Sequence, residues 1–178
     1  ANLFMNKSRY EDAIANIEIV RSMQKADRRS LQLLGNLYLQ ERMPKQSVEA
    51  YIESIQGDFD SDDVDKWLNP LETLTARGFH AEAERYHKAI KQALPPSALK
   101  KHHEILALSE ASVNFHLGDA DTAHSLIRPI VDKNPMNGEG LLLLGKIHQS
   151  HQETEKAAFY FERARSVPDV KEKALVQL

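Results

Sequence analysis

Cysteine is absent from all 178 residues, which rules out a disulfide framework, thiolate metal ligands and a cysteine nucleophile together. It leaves the compartment open, because a chain without thiols survives in either redox environment. Glycine and proline are scarce, seven of each and mostly far apart, so long stretches are free to be helical. Charge of one sign is lacking too. A net charge of −3 sets up no broad positive field, so nucleic acid and anionic membrane surfaces are poor partners. No apolar run approaches the roughly 20 residues needed to cross a bilayer. The strongest, Leu141 to Leu144, is a single helical turn. With 42% hydrophobic and 28% charged residues, the composition is that of a globular chain.

What is present is a period. Small residues suited to close helix crossings fall at Ala13, Ser47, Ala83, Ala123 and Ala157, at intervals of 34, 36, 40 and 34. Four residues beyond each stands a larger side chain: Ile17, Tyr51, His87, Ile127 and Phe161. Three further on come Val20, Ser54, Ile90, Ile130 and Ala164, which completes an i, i+4, i+7 stripe on one helical face. A second pattern precedes the later segments. It reads Leu31, Leu34, Gly35, Tyr38 in one copy and Leu141, Leu144, Gly145, His148 in another. Weaker copies are Trp67, Pro70, Leu71, Leu74 and Ala107, Glu110, Ala111, Asn114. Pro95, Pro135 and Pro168 close three units, and Gly78 and Gly118 mark turns within hairpins.

This pattern resembles the tetratricopeptide repeat, a 34-residue helical hairpin unit. The likeness covers essentially the whole chain and is best over 28–59 and 138–168; Ser8-Arg9-Tyr10-Glu11-Asp12-Ala13 is similar to the start of the family's second helix. Pro70 and Glu110 depart from it, and the 40-residue interval requires an insertion around Leu94 to Lys101. The resemblance implies an all-α fold: a right-handed α-solenoid of antiparallel hairpins, with about four full repeats and partial units at both ends.

The spacing predicts helices at 8–24, 27–41, 44–56, 61–77, 80–93, 97–116, 120–132, 138–150, 153–166 and 170–178. The units are 1–27 (partial), 28–60, 61–95, 96–135, 136–168 and 169–178 (partial), all within one array, 1–178. Both ends read as cut from a longer chain, so Ile14, Ile17, Leu175 and Leu178 are expected to be exposed, and homo-oligomers through the array ends follow from that.

No motif carries chemistry. Asp58, Asp60, Asp62, Asp63 and Asp65 suggest a calcium loop, but the positions needing glycine and glutamate hold Asp63 and Asn69. The simpler reading is a loop with Ser61 as N-cap and acids facing a helix N-terminus. Among the eight histidines, the adjacent His102 and His103 and the i, i+3 pair His148 and His151 lack a convincing third ligand. His148 fills the repeat's Tyr position, between helices. Gly138-Glu139-Gly140 has neither the preceding strand of a dinucleotide site nor the Gly-Lys-Ser/Thr of a P-loop. The expectation is a non-enzyme without cofactor or metal.

In the tetratricopeptide family the first helices of successive hairpins line a concave groove that holds a protein or peptide. The resemblance places Asn36, Leu39, Asp65, Glu72, Leu108, Phe115, Leu142, Lys146 and Gln149 on it, beside Arg29, Gln32, Leu68, Thr75, Ile105, Ser112 and Glu139. Asn36 and Asn69 match two asparagines of the family's carboxylate clamp, but Gln32, Ile105 and Ser109 stand where its cations belong, so no clamp is expected. Leu108 and Phe115 face the groove if the unit is aligned on Gly118. A slip of one residue puts Leu108, Ala111, Ser112 and Phe115 on the packed face. The resulting reading is a non-catalytic interaction scaffold, of a bacterial type by its loosely degenerate repeats. The alternatives are the regulatory part of a larger enzyme or transcription regulator, and a structural cell-envelope factor. Cytoplasm and periplasm stay equally open.

Overall fold

The computed structural model describes residues 2–56 and 64–177, with side chains from Arg9 onward. Ser61, Asp58, Asp60, Asp62, Asp63 and Leu178 lie outside the described residues. The described residues are all-α, without strands. They fall into two compact units, 1–96 and 97–178. Unit one holds α1 (Asn2–Ser22), α2 (Arg28–Gln40), α3 (Pro44–Ser54), α4 (Val64–Ala76) and α5 (His80–Ala93). α6 (Pro96–Lys101) begins at the boundary. Unit two continues with α7 (His103–His116), α8 (Ala120–Lys133), α9 (Gly138–Ser150), α10 (Thr154–Arg165) and, after a 3₁₀ turn at Pro168–Val170, α11 (Lys171–Leu175).

Four helix pairs share one turn. α2 folds back on α3, α4 on α5, α7 on α8 and α9 on α10, each through a connection of three residues. In each, one residue takes a left-handed conformation: Arg42 at φ 58°, Gly78 at 81°, Gly118 at 90° and Gln152 at 62°. The next amide then reaches back to the carbonyl of the helix's last turn. Met43 donates to Tyr38 (2.8 Å), Phe79 to Leu74, Asp119 to Asn114 and Glu153 to His148 (2.9 Å each). This is the Schellman closure, which satisfies carbonyls that the helix end would otherwise leave bare. Gly78 and Gly118 meet the left-handed requirement without a Cβ clash; Arg42 and Gln152 adopt it against steric cost. Three helix starts are also capped by side chains: Asp27 accepts from the Ser30 amide (2.7 Å), Asp119 from Thr122 (3.0 Å) and Asn137 from Gly140 (2.8 Å).

The turn fixes where the two helices of a pair cross. Ser47, Ala83, Ala123 and Ala157 are buried at these crossings, as are Tyr51, His87, Ile127 and Phe161 four residues on. The Tyr51 ring lies over Gly35 and the Phe161 ring over Gly145, so closely that a Cβ would stand 2.4 and 2.3 Å from ring carbons. Ser47 locks the first crossing by donating to the Gly35 carbonyl (2.8 Å). The equivalent positions, sixteen residues apart, are Leu71 with His87 and Ala111 with Ile127, all buried. Each such large apolar side chain contributes about 1.5–3 kcal/mol of burial.

Three expectations change. The helix predicted over 97–116 is two, α6 and α7. His102 (φ −103°, ψ 17°) bends the path while its amide still donates to Ala98 and its carbonyl still accepts from Leu106. At the N-terminal side, Ile14 and Ile17 are partly buried against Leu34, Tyr38 and Ala50 instead of exposed. Among the described side chains of α1, Tyr10 (39%), Ile19 (59%) and Val20 (40%) are exposed, and Met23 (56%) follows it, so the first copy of the stripe does not bury its third position. At the other end, Leu175 is exposed as expected.

Gly145→Ala should cost about 1–3 kcal/mol by overpacking against Phe161 and lower the melting temperature, with part of the loss recovered when Phe161→Leu is added. Gly78→Ala, which meets no atom within 4 Å, should cost stability through its backbone alone and gain nothing from a change in the core. Calorimetry of the single and double variants checks both.

Candidate binding sites

The expected groove residues divide by burial. In unit one, Asn36, Asp65 and Glu72 are exposed. Asn36 is held by its own hairpin, its Oδ1 accepting the Tyr51 hydroxyl at 2.7 Å. Burial pushes that hydroxyl's pKa up to about 12, so it remains a donor across the physiological range. Leu39 is a correction: at 2% exposure it belongs to the core, and its carbonyl accepts from Arg77 (2.6 Å). In unit two, Lys146 is partly exposed and Gln149 exposed, but Leu142 is buried at 4%. Leu141 to Leu144 are all buried because α9 packs against α7, α8 and α10, so this one turn of the helix is covered on every side. Neither leucine has side-chain surface to offer a partner.

The turn at Gly118 closes with the same bonds as the other three, so the register is the one aligned on that glycine. Leu108 and Phe115 are nevertheless partly buried and pack against the core of unit two, while Ile105 beside them is 39% exposed. The exposed part of this strip thus runs over Ile105 and the outer edges of Leu108 and Phe115.

A second feature lies away from these residues, on α8, the end of α9 and α10. A cavity of about 610 Å³ is lined by Asp121, His124, Arg128, His148, His151, Glu153, Glu155, Lys156, Phe159 and Tyr160. His148 is its centre. Its ring stacks on Tyr160 (centroids 5.2 Å, interplanar angle 1°) and meets the His124 ring edge-on at 5.6 Å. Its Nδ1 lies 2.5 Å from Glu153 Oε2. A carboxylate only accepts, so the Nδ1 proton points to Glu153, and in the neutral form of the ring Nε2 is left with a bare lone pair. That atom is buried and has no hydrogen-bond partner. Hydrogen bonds from Lys156 and His148 hold the Glu153 carboxyl down at about 2. Burial, helped by His148, Arg128 and His151 and opposed by Asp121, lowers the pKa of His124. Among the described residues, no three His, Asp or Glu side chains are placed to hold one metal ion.

The sequence placed His148 between helices and paired it with His151. It did not bring in Asp121 and His124, which form their own i, i+3 pair one hairpin earlier. Two such pairs on helices that pack together were the available signal.

No protein-family model matches the chain, and no curated protein matches it either.

A histidine whose folded pKa lies below its unfolded value takes up fewer protons than the unfolded chain as pH drops. Stability therefore falls as pH decreases through the unfolded value of about 6.5 toward the lower folded one, and levels off beneath it. Urea denaturation between about pH 7 and pH 5 should show a smaller loss for His124→Gln than for the parent chain.

Proposed function

We propose that the chain is a non-catalytic interaction module of the tetratricopeptide type, its hairpins stacked as a right-handed solenoid. The observation that supports this reading is the identity of the four hairpin turns among the described residues: one left-handed residue, one backward bond and one small-residue crossing each. Such a repeat gives neighbouring first helices parallel outer faces, which is a surface for an extended or helical peptide. The partner-binding residues in this reading are Asn36, Asp65 and Glu72 in unit one, and Ile105, Leu108, Phe115, Lys146 and Gln149 in unit two. The apolar strip of α7 serves as the anchor, since a half-exposed aliphatic and aromatic strip gains most from losing water. Each unit's face carries its own orienting charge, Asp65 and Glu72 in unit one and Lys146 in unit two.

Peptides selected from a random display library on the parent chain test this. Ile105→Asp and Lys146→Glu should each weaken selected peptides about tenfold, a change near 1.4 kcal/mol, while Gln92→Lys on α5 leaves affinity unchanged. Selected peptides indifferent to all three variants would remove the first helices from the account.

A further inference from the structure

We propose that the cavity between α8, α9 and α10 receives the guanidinium of an arginine side chain carried by a partner peptide. Three independent features of the cavity converge on this chemistry, and none belongs to the surface proposed for peptide binding on the first helices.

The first is the balance of charge that remains open. Arg128 is occupied by both oxygens of Asp132 (2.9 and 3.0 Å), and Lys156 by Glu153 (2.7 Å). Asp121 has only His151 Nε2 beside it, at 3.8 Å, with its own side chain 95% exposed. Glu155 has no ion-pair partner among the described residues. The cations are thus neutralised internally, and the charges facing an incoming group are carboxylates.

The second is His148 Nε2. The His148 side chain is more than nine-tenths buried and lines the cavity, its Nε2 has no hydrogen-bond partner, and in the neutral form of the ring that atom is an acceptor that nothing donates to. A buried acceptor left bare costs on the order of 1–3 kcal/mol, so a ligand rich in N–H donors gains by supplying one. His124 stands edge-on to the ring, so a ligand that reaches Nε2 turns the half-buried His124 aside.

The third is the aromatic wall. Phe159 is 56% exposed, and its ring already carries the Arg163 guanidinium at 5.4 Å from the centroid. Standing edge-on to the buried Tyr160, it offers the exposed stacking surface at the cavity edge. A planar guanidinium with five donors can stack there and donate to His148 and a carboxylate at once. A lysine ammonium matches the charge but not the plane.

The charged and titratable groups facing the cavity are Asp121, His124 and Arg128 from α8, His148 and His151 from the end of α9, Glu153 from the turn, and Glu155, Lys156 and Tyr160 from α10. Protonation of His124 adds positive charge, so arginine binding should weaken as pH falls from about 7 to about 5.

The test is a titration of the chain with the capped peptide Gly-Gly-Arg-Gly-Gly, read by the imidazole NMR signals of His124, His148 and His151. We expect saturable shifts of all three, weaker binding when lysine replaces arginine, and none when glutamine does. Phe159→Ala should weaken binding roughly two- to fivefold. Glu155→Gln and Asp121→Asn should each weaken it and flatten its salt dependence. Ile105→Asp should leave it unchanged, so failure of this site is read separately from failure of the surface on the first helices. Free arginine should bind less well than the peptide, because its α-carboxylate meets the cavity's open carboxylates. The absence of a saturable shift would overturn the proposal. So would binding that survives Phe159→Ala combined with Glu155→Gln, or free arginine binding more tightly than the peptide.

Discussion

The structure depends on one local event, the closure of each hairpin by a left-handed residue and a backward hydrogen bond from the amide that follows it. That bond sets the first residue of the second helix, and with it the side chain that meets the first helix. At Gly35 and Gly145 the consequence is contact without slack, since the Tyr51 and Phe161 rings occupy the space a Cβ would need. Where the first helix carries alanine instead, at Ala111, the partner is the smaller Ile127. The crossing accommodates different volumes because the turn, and not any one pair of side chains, holds the register.

This explains which parts of the fold were legible. The small residues at Ser47, Ala83, Ala123 and Ala157 recur because a steric requirement recurs, and a steric requirement leaves a periodic trace. Gly78 and Gly118 announce their turns for the same reason. Arg42 and Gln152 do the same work without announcing it, since their residue types carry no left-handed preference; only their distance from Gly35 and Gly145 reveals them. The bend at His102 left no trace either. It involves neither glycine nor proline, and His102 itself keeps both its bonds, to Ala98 and from Leu106, so the segment from Ser97 to His116 reads as one helix.

The candidate sites were less legible, because a helical position specifies a face and not its depth. Leu39 and Leu142 occupy groove positions by register, but α2 and α9 are covered on more than one side. Phe115 sits between the two outcomes, partly packed and partly open. The cavity around His148 was the hardest to foresee. His148 replaces the tyrosine seen at Tyr38, and the substitution changes a hydroxyl that donates to Glu18 (2.6 Å) into an imidazole with one bonded and one bare nitrogen. The difference lies in chemistry at one repeat position, and periodicity is blind to it.

The equivalence of the four turns can be measured directly by amide hydrogen exchange at Met43, Phe79, Asp119 and Glu153, whose N–H groups make the backward bonds. The account predicts that all four are protected to a degree comparable with the helix interiors they follow. Exchange at the rate of open loop amides, at any of the four, would contradict the claim that one turn organises every hairpin.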